Sequence, residues 1–229
     1  MTESMQIVCL ANSRKLSGRC IAGRVWAIDE KAGCWVRLVS ARENQEVSEY
    51  ERQYEDGSDP RILDIIEVPV LRPQPEGHQT ENWLLDPDYY WEKVGVYSPL
   101  DLPALVDPVE PLWVDGCSTY HGRNDRIPLE GTGKTPSSLR LIAVEEVIVE
   151  VFAPGEAFGN SKRRVQGQFV HAGQNYAFWV TDPLYERRFL AKLDGTYRIG
   201  ECHLTISLGE PYRNAIFKLI AAIIEPDWH

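Results

Sequence analysis

Arg19-Cys-Ile-Ala-Gly-Arg-Val-Trp-Ala-Ile-Asp-Glu-Lys-Ala-Gly-Cys-Trp-Val36 decides how the chain is read. Ile21, Gly23 and Val25 alternate with Cys20, Ala22, Arg24 and Trp26, which is the two-residue period of a strand. Turn residues follow at Asp29–Gly33, and strand character resumes at Cys34. A glycine inside a strand marks a bulge or a tight bend, as at a barrel corner. A second copy starts 144 residues later: Arg163-Arg-Val-Gln-Gly-Gln-Phe-Val-His-Ala-Gly-Gln-Asn-Tyr-Ala-Phe-Trp-Val180. Without a gap, Arg19 falls on Arg163, Gly23 on Gly167, Trp35 on Trp179 and Val36 on Val180. The stretch therefore reads as a β-hairpin at the centre of a small barrel that occurs twice.

The flanking sequence supports this. Gln6–Leu10 is a short apolar run that suits a first strand. Ala11–Gly18 is a polar loop. After the first hairpin, Ala41–Asp59 is acidic, a solvated helix or a loop. Ile66, Val68 and Val70 then alternate with Glu67 and Pro69, and the proline suggests an edge or a bulge. In the second half, Leu139–Phe152 forms one long or two short strands. Thr181-Asp-Pro183 is a cap-and-proline helix start leading into Leu184–Leu190. Leu204, Ile206 and Leu208 echo Ile66, Val68 and Val70, and Phe217–Ile224 closes the chain's apolar pattern. Each half thus reads strand, basic loop, hairpin, helix or loop, strand, strand. That is the five-stranded OB arrangement, whose strand 2–3 face and flanking loops form the ligand surface.

The expected architecture is mainly β: two OB-like five-stranded barrels related by internal duplication, at 1–97 and 139–229. Between them, 98–138 is an irregular connecting segment packed on the barrels. The wider stretch 72–138 is rich in proline and carries Trp83, Tyr89, Tyr90, Trp91 and Trp113, too many large apolar groups for a flexible linker. Ser98-Pro99 starts a short helix there.

Composition narrows the function. Net charge is −10 over 229 residues, and residues 1–138 hold 14 Lys+Arg against 23 Asp+Glu. Such a chain is poorly suited to long, non-specific contact with a phosphate backbone. Any nucleic-acid site must be local, and two acid-free windows qualify, 4–28 and 157–181, at matching places in the two repeats. No apolar run reaches the ~20 residues of a bilayer span. Met-Thr-Glu-Ser-Met at the start does not resemble a secretory signal. Five scattered cysteines with no C-x-x-C pair suggest reduced thiols and a cytoplasmic protein.

Cys9-Leu-Ala-Asn-Ser-Arg-Lys15, Gly18-Arg-Cys-Ile-Ala-Gly23, Trp35-Val-Arg-Leu38 and Ile206-Ser-Leu-Gly-Glu-Pro-Tyr212 resemble the bacterial family called the dual OB-containing domain, across essentially the whole chain. The resemblance implies two OB folds and a nucleic-acid or nucleotide-binding role. It brings no catalytic residues.

The first candidate surface is Asn12, Ser13, Arg14, Lys15, Arg19, Trp35 and Arg37. Its cations suit phosphate, Asn and Ser suit bases or sugar, and an exposed tryptophan would stack on a base. Its counterpart is Lys162, Arg163, Arg164, Gln168 and Trp179. The competing assignment is structural: tryptophans in the core and solvated loops, with Trp179 the more core-like because it follows Phe178. Arg123, Asn124 and Arg126 are further polar binding candidates. Gly131-Thr-Gly-Lys134-Thr135 lacks the first glycine of a phosphate loop and reads as a turn, with Lys134 a possible lining residue of a basic groove. Cys117 and His121 share a glycine-rich loop without any sign of hydrogen-bond reach. Histidine and cysteine spacings give no metal site, and no cofactor is implied.

The expected function is a non-catalytic module binding short single-stranded nucleic acid or a nucleotide through its basic loops. The alternative is a protein-interaction adaptor of a larger bacterial complex, motivated by the acidic and aromatic segments.

Overall fold

A computed structural model of the chain describes residues 2–26, 33–131 and 137–226. Contacts divide the chain into two units. The first holds residues up to 105 together with 137–138, and the second holds 106–131 and 139–226. The segment 98–138 is thus shared out rather than standing apart. The 3-10 helix Pro99–Leu105 ends the first unit, and 106–131 belongs to the second. Part of the hairpin turn at Asp29–Gly33 and the turn holding Lys134 lie outside the described residues.

The first unit is a closed barrel of β1 (Glu3–Lys15), β2 (Gly18–Val25), β3 (Trp35–Val39), β4 (Asp64–Pro73) and β5 (Asn82–Leu85). Its order is β1-β2-β3-β5-β4, and β4 returns to pair with β1. All neighbours are antiparallel except β3 and β5. The fifth strand comes from the stretch read as irregular. A sixth strand, β6 (Glu92–Val96), extends β4 at one edge. β1 serves two partners by bending at a bulge between Cys9 and Ala11, opposite Gly23. A Cβ on Gly23 would lie 2.0 Å from the Val8 carbonyl oxygen, so only glycine lets the two strands meet at this corner.

The loop between β3 and β4 departs from expectation. No helix forms, and the segment is not merely solvated: Val47 and Tyr54 are buried in the core with Ile7, Ile21, Leu38, Ile66 and Trp91. Arg19 and Val47 exchange backbone hydrogen bonds at 2.9 Å, which ties this loop down at the start of β2.

The second unit repeats the order. β8 (Leu139–Val144) and β9 (Val147–Phe152) are two halves of one first strand, broken at Glu145-Glu146. β9 pairs with β10 (Arg164–His171), which pairs with β11 (Gln174–Val180). β11 runs parallel to β14 (Ala215–Ile224), which pairs with β13 (Cys202–Tyr212), and β13 returns to β8. The barrel closes through the β8–β9 chain itself. A short β7 (Arg126–Pro128) pairs with β14, and β12 (Gly195–Ile199) borders β9. The helix α1 (Pro183–Leu190) is capped by Asp182, which accepts from the Leu184 and Tyr185 N–H groups, and it packs Tyr185 and Phe189 into the core. Both barrels pair the hairpin glycine across to strand three, but Gly23 faces Val36 whereas Gly167 faces Phe178. The ungapped sequence match between the hairpins is therefore out of register by two residues on the third strand.

Candidate functional site

The first barrel withholds its strand 2–3 face. Cys20, Ala22, Arg24, Trp35, Arg37 and Val39 point out of the barrel, opposite to Ile21, Gly23, Val36 and Leu38, yet all six are buried. Trp35 is only 7% exposed, so its ring is not open to a base; the Arg24 guanidinium lies 4.9 Å from its centroid. Arg37 is enclosed by Glu81 at 3.5 Å and by Ser138 and Cys20, both at 2.7 Å. Its charge is neutralised within the fold. Asn12 is spent on the Pro60 carbonyl oxygen at 2.8 Å, and Ser13 is buried. Arg14 is exposed, and Lys15 and Arg19 are half-buried. The first predicted surface is thus mostly architecture.

In the second copy, Arg163 has a structural task too. Its guanidinium donates to the Leu190 and Lys192 carbonyl oxygens and to Asp194 at 2.5 Å, fastening the end of α1. Lys162 is exposed, and Arg126 sits within β7.

The outer face of β9, β10 and β11 is the more accessible one: Ile148, Glu150, Phe152, Arg164, Gln168 and Trp179 are half-buried, although Gln166 and Ala177 are buried. Val147, Val149 and Val151 face the core, which turns Ile148, Glu150 and Phe152 outward. In the same way Tyr176, Phe178 and Val180 face in, and Trp179 faces out. The expectation that Trp179 is the more core-like tryptophan is reversed: Trp179 is half-buried and Trp35 buried. Phe152 and Trp179 lie 5.7 Å apart between ring centroids at 34°. His121 continues the run at 5.3 Å from Phe152, and Tyr120, 96% exposed, sits 4.8 Å from His121. Arg164 lies over Trp179 at 4.0 Å.

These rings stand beside a groove of about 1070 Å³ lined by Arg123, Glu150, Gln166, Gln168, His171 and Asn175, with Tyr120, His121 and Phe152. The volume is at the upper limit of the ~300–1,000 Å³ of small-molecule pockets, which suits an extended ligand. His121 is positioned by the Pro154 carbonyl oxygen at 3.1 Å, and Gln166 donates to the His121 carbonyl oxygen at 2.9 Å. Burial pushes the His171 pKa below its ordinary value, while its Nε2 meets the Glu110 carbonyl oxygen at 3.0 Å. Of the expected binding residues, Arg123 and Arg164 adjoin this run. Tyr120, His121 and Phe152 were not expected. Strand alternation turns Phe152 outward, but nothing local brings 120–121 alongside it.

Among the described residues, no group of three or more His, Cys, Asp or Glu is placed to hold a metal ion, and no helix is long and apolar enough to cross a membrane.

Two small barrels, one with an accessible aromatic face, define an OB-fold binding protein. The model of the dual OB-containing domain family matches residues 5–223, and the chain belongs to that family. No curated protein matches the chain.

Proposed function

We propose that the chain is a non-catalytic module whose second barrel takes a short single-stranded nucleic acid. The observation that carries this is the continuous run Tyr120, His121, Phe152, Trp179 and Arg164, which leads from the 120–121 loop across the outer face of β9, β10 and β11. Every base has a π-face, and stacking on aromatic side chains contributes about 1–3 kcal/mol per base. Four rings in succession suit a strand of several nucleotides better than a lone nucleotide. Arg123 and Arg164 supply the cations, and the acidic remainder of the chain discourages longer contacts.

The test is fluorescence anisotropy with labelled single-stranded hexamers. Phe152→Ala and Trp179→Ala should each weaken binding by about tenfold or more. With two phosphate contacts, the slope of log K against log salt should be shallow, about −1.4. Binding lost in an Arg14→Ala/Lys15→Ala double variant but kept in Phe152→Ala would move the site to the first barrel and refute the assignment.

Support for the cytoplasm comes from five cysteines that form no disulfide. The shared strand order of the two units supports an origin by duplication. A different feature favours a second reading, the adaptor. In the first unit a cleft lined by Tyr54, Tyr90 and Trp91 carries Glu55, Asp56, Asp59, Asp64 and Glu92 against Arg61 and Lys93. That surface suits a basic segment of a protein partner. Co-purification that is lost on replacing Glu55, Asp56 and Glu92 by Gln would establish it, and elution as a lone monomer would count against it.

A further inference from the structure

A groove proposed for nucleic acid holds more carboxylates than its phosphates would favour, and their arrangement explains why. Glu145, Glu146 and Glu150 all line it. Glu146 is paired with Arg198 at 2.7 Å. Glu150 lies on the accessible face two residues from Phe152, about 7 Å along the strand. Its Oε2 accepts the Gln168 Nε2–H at 3.0 Å, and among the described residues its Oε1 has no partner. The amide nitrogen of Gln166 is likewise turned inward, to the His121 carbonyl oxygen. Beside the aromatic run, then, Glu150 presents an open carboxylate oxygen, while one N–H of each glutamine amide is already engaged.

We infer that this groove selects guanine. The inference rests on the single-stranded reading above. A base stacked on Phe152 turns an edge toward Glu150. Guanine presents N1–H and N2–H side by side, a fork that one carboxylate accepts in bidentate fashion, as it accepts arginine. Cytosine and adenine offer one amino group beside a bare ring nitrogen, which repels the second carboxylate oxygen. Thymine and uracil present a single N–H between two carbonyl oxygens. Single-stranded recognition reads these Watson–Crick edges directly, because the bases are splayed and stacked rather than paired.

The experiment compares four labelled pentamers, TTGTT, TTCTT, TTATT and TTTTT, binding to the full-length chain. TTGTT should bind about tenfold or more tighter than TTTTT, the scale of one good bidentate contact. In Glu150→Gln the TTGTT/TTTTT ratio should fall close to one, because the amide places a donor against guanine's donors. Glu150→Asp keeps the charge but withdraws it by one methylene, and should give an intermediate ratio. The ratio is the readout, since a fold defect would lower all four affinities together. Equal binding of the four pentamers, still weakened by Phe152→Ala, would overturn guanine selection and leave the aromatic platform standing. A guanine preference unchanged in Glu150→Gln would overturn the role of Glu150. No binding of any pentamer would overturn both readings.

Discussion

Gly23 and Gly167 occupy the same hairpin position but do not have the same tolerance. A Cβ at Gly23 meets the Val8 backbone oxygen at 2.0 Å, and backbone on a paired strand cannot move aside. A Cβ at Gly167 meets the Ile220 Cδ1 at 2.5 Å, the far end of a flexible side chain. Gly23→Ala should therefore cost about 3 kcal/mol and Gly167→Ala about 1 kcal/mol, read from urea midpoints. The titration of two histidines is a second residue-scale test. Burial holds His171 and His203 below the ordinary 6.5, although Asp115 pulls His171 up and Glu201 pulls His203 up. A folded value below the unfolded one means that the unfolded chain binds more protons. Stability should be complete above 6.5 and fall as pH drops through that value. Asp182 works in the opposite sense, because burial pushes its carboxyl up to about 6 and its contribution is lost as pH rises from 3.8. The histidine effect is best measured between about pH 7.5 and 6, where His171→Gln/His203→Gln should flatten it. The strand glycines were legible because alternation exposes them. The fates of Trp35 and Trp179 were not: alternation sorts side chains onto two faces but does not say which outer face Arg37, Glu81 and Ser138 will close.

At the level of elements, local chemistry made some features plain and left others hidden. Asp182-Pro183 announces α1 because capping acts within three residues, through Asp182 Oδ1 and the Leu184 and Tyr185 N–H groups at 2.9 and 3.3 Å. The same carboxylate accepts from the Ile223 N–H at 3.2 Å, which joins helix to strand. Asp182→Ala should thus cost about 2 kcal/mol, the upper end of the capping range, in equilibrium unfolding at pH 7. Residues 41–59 gave no such signal. Their burial depends on Val47 and Tyr54, single apolar residues in an acidic run, and on a backbone bridge to Arg19. The acids there also work locally: Glu51 accepts from Ser40 and Ser48, which holds its carboxyl below the usual range against the opposing effect of burial. Arg37 counted toward the first candidate surface, and Arg163 toward a basic window. Only contacts far along the chain reveal that Arg37 pairs with Glu81 and that Arg163 fastens a helix end.

For the molecule as a whole, family membership over 5–223 and the mainly β, two-barrel plan were legible, because hairpin period and strand spacing survive without tertiary knowledge, whereas β5 of the first barrel lay in the stretch read as irregular. The boundary between units was not, since 106–131 looks irregular in sequence yet belongs to the second unit. Lys218 shows why. It is 1% exposed on β14, and its ammonium donates to the Val114 carbonyl oxygen at 2.8 Å and to Asp115 at 3.2 Å. Burial lowers its pKa, and Asp115 opposes that by favouring the charged form. Asp115 also accepts the Tyr176 hydroxyl at 2.9 Å, while Leu112 and Ile127 enter apolar clusters of the same unit. A fragment begun at 139, where the repeat starts in sequence, would leave Lys218 buried without its carboxylate. That alone costs about 3–5 kcal/mol, before the loss of Leu112 and Ile127. Such a deficit consumes much of a domain's ~5–15 kcal/mol stability. Fragment 106–229 should therefore unfold cooperatively in urea and retain hexamer binding, because Tyr120, His121, Arg123 and the β9–β11 face are all within it. Fragment 139–229 should show no cooperative transition. If 139–229 folded as stably as 106–229, the strap from 106 to 131 would be an accessory and Lys218 would have found another partner.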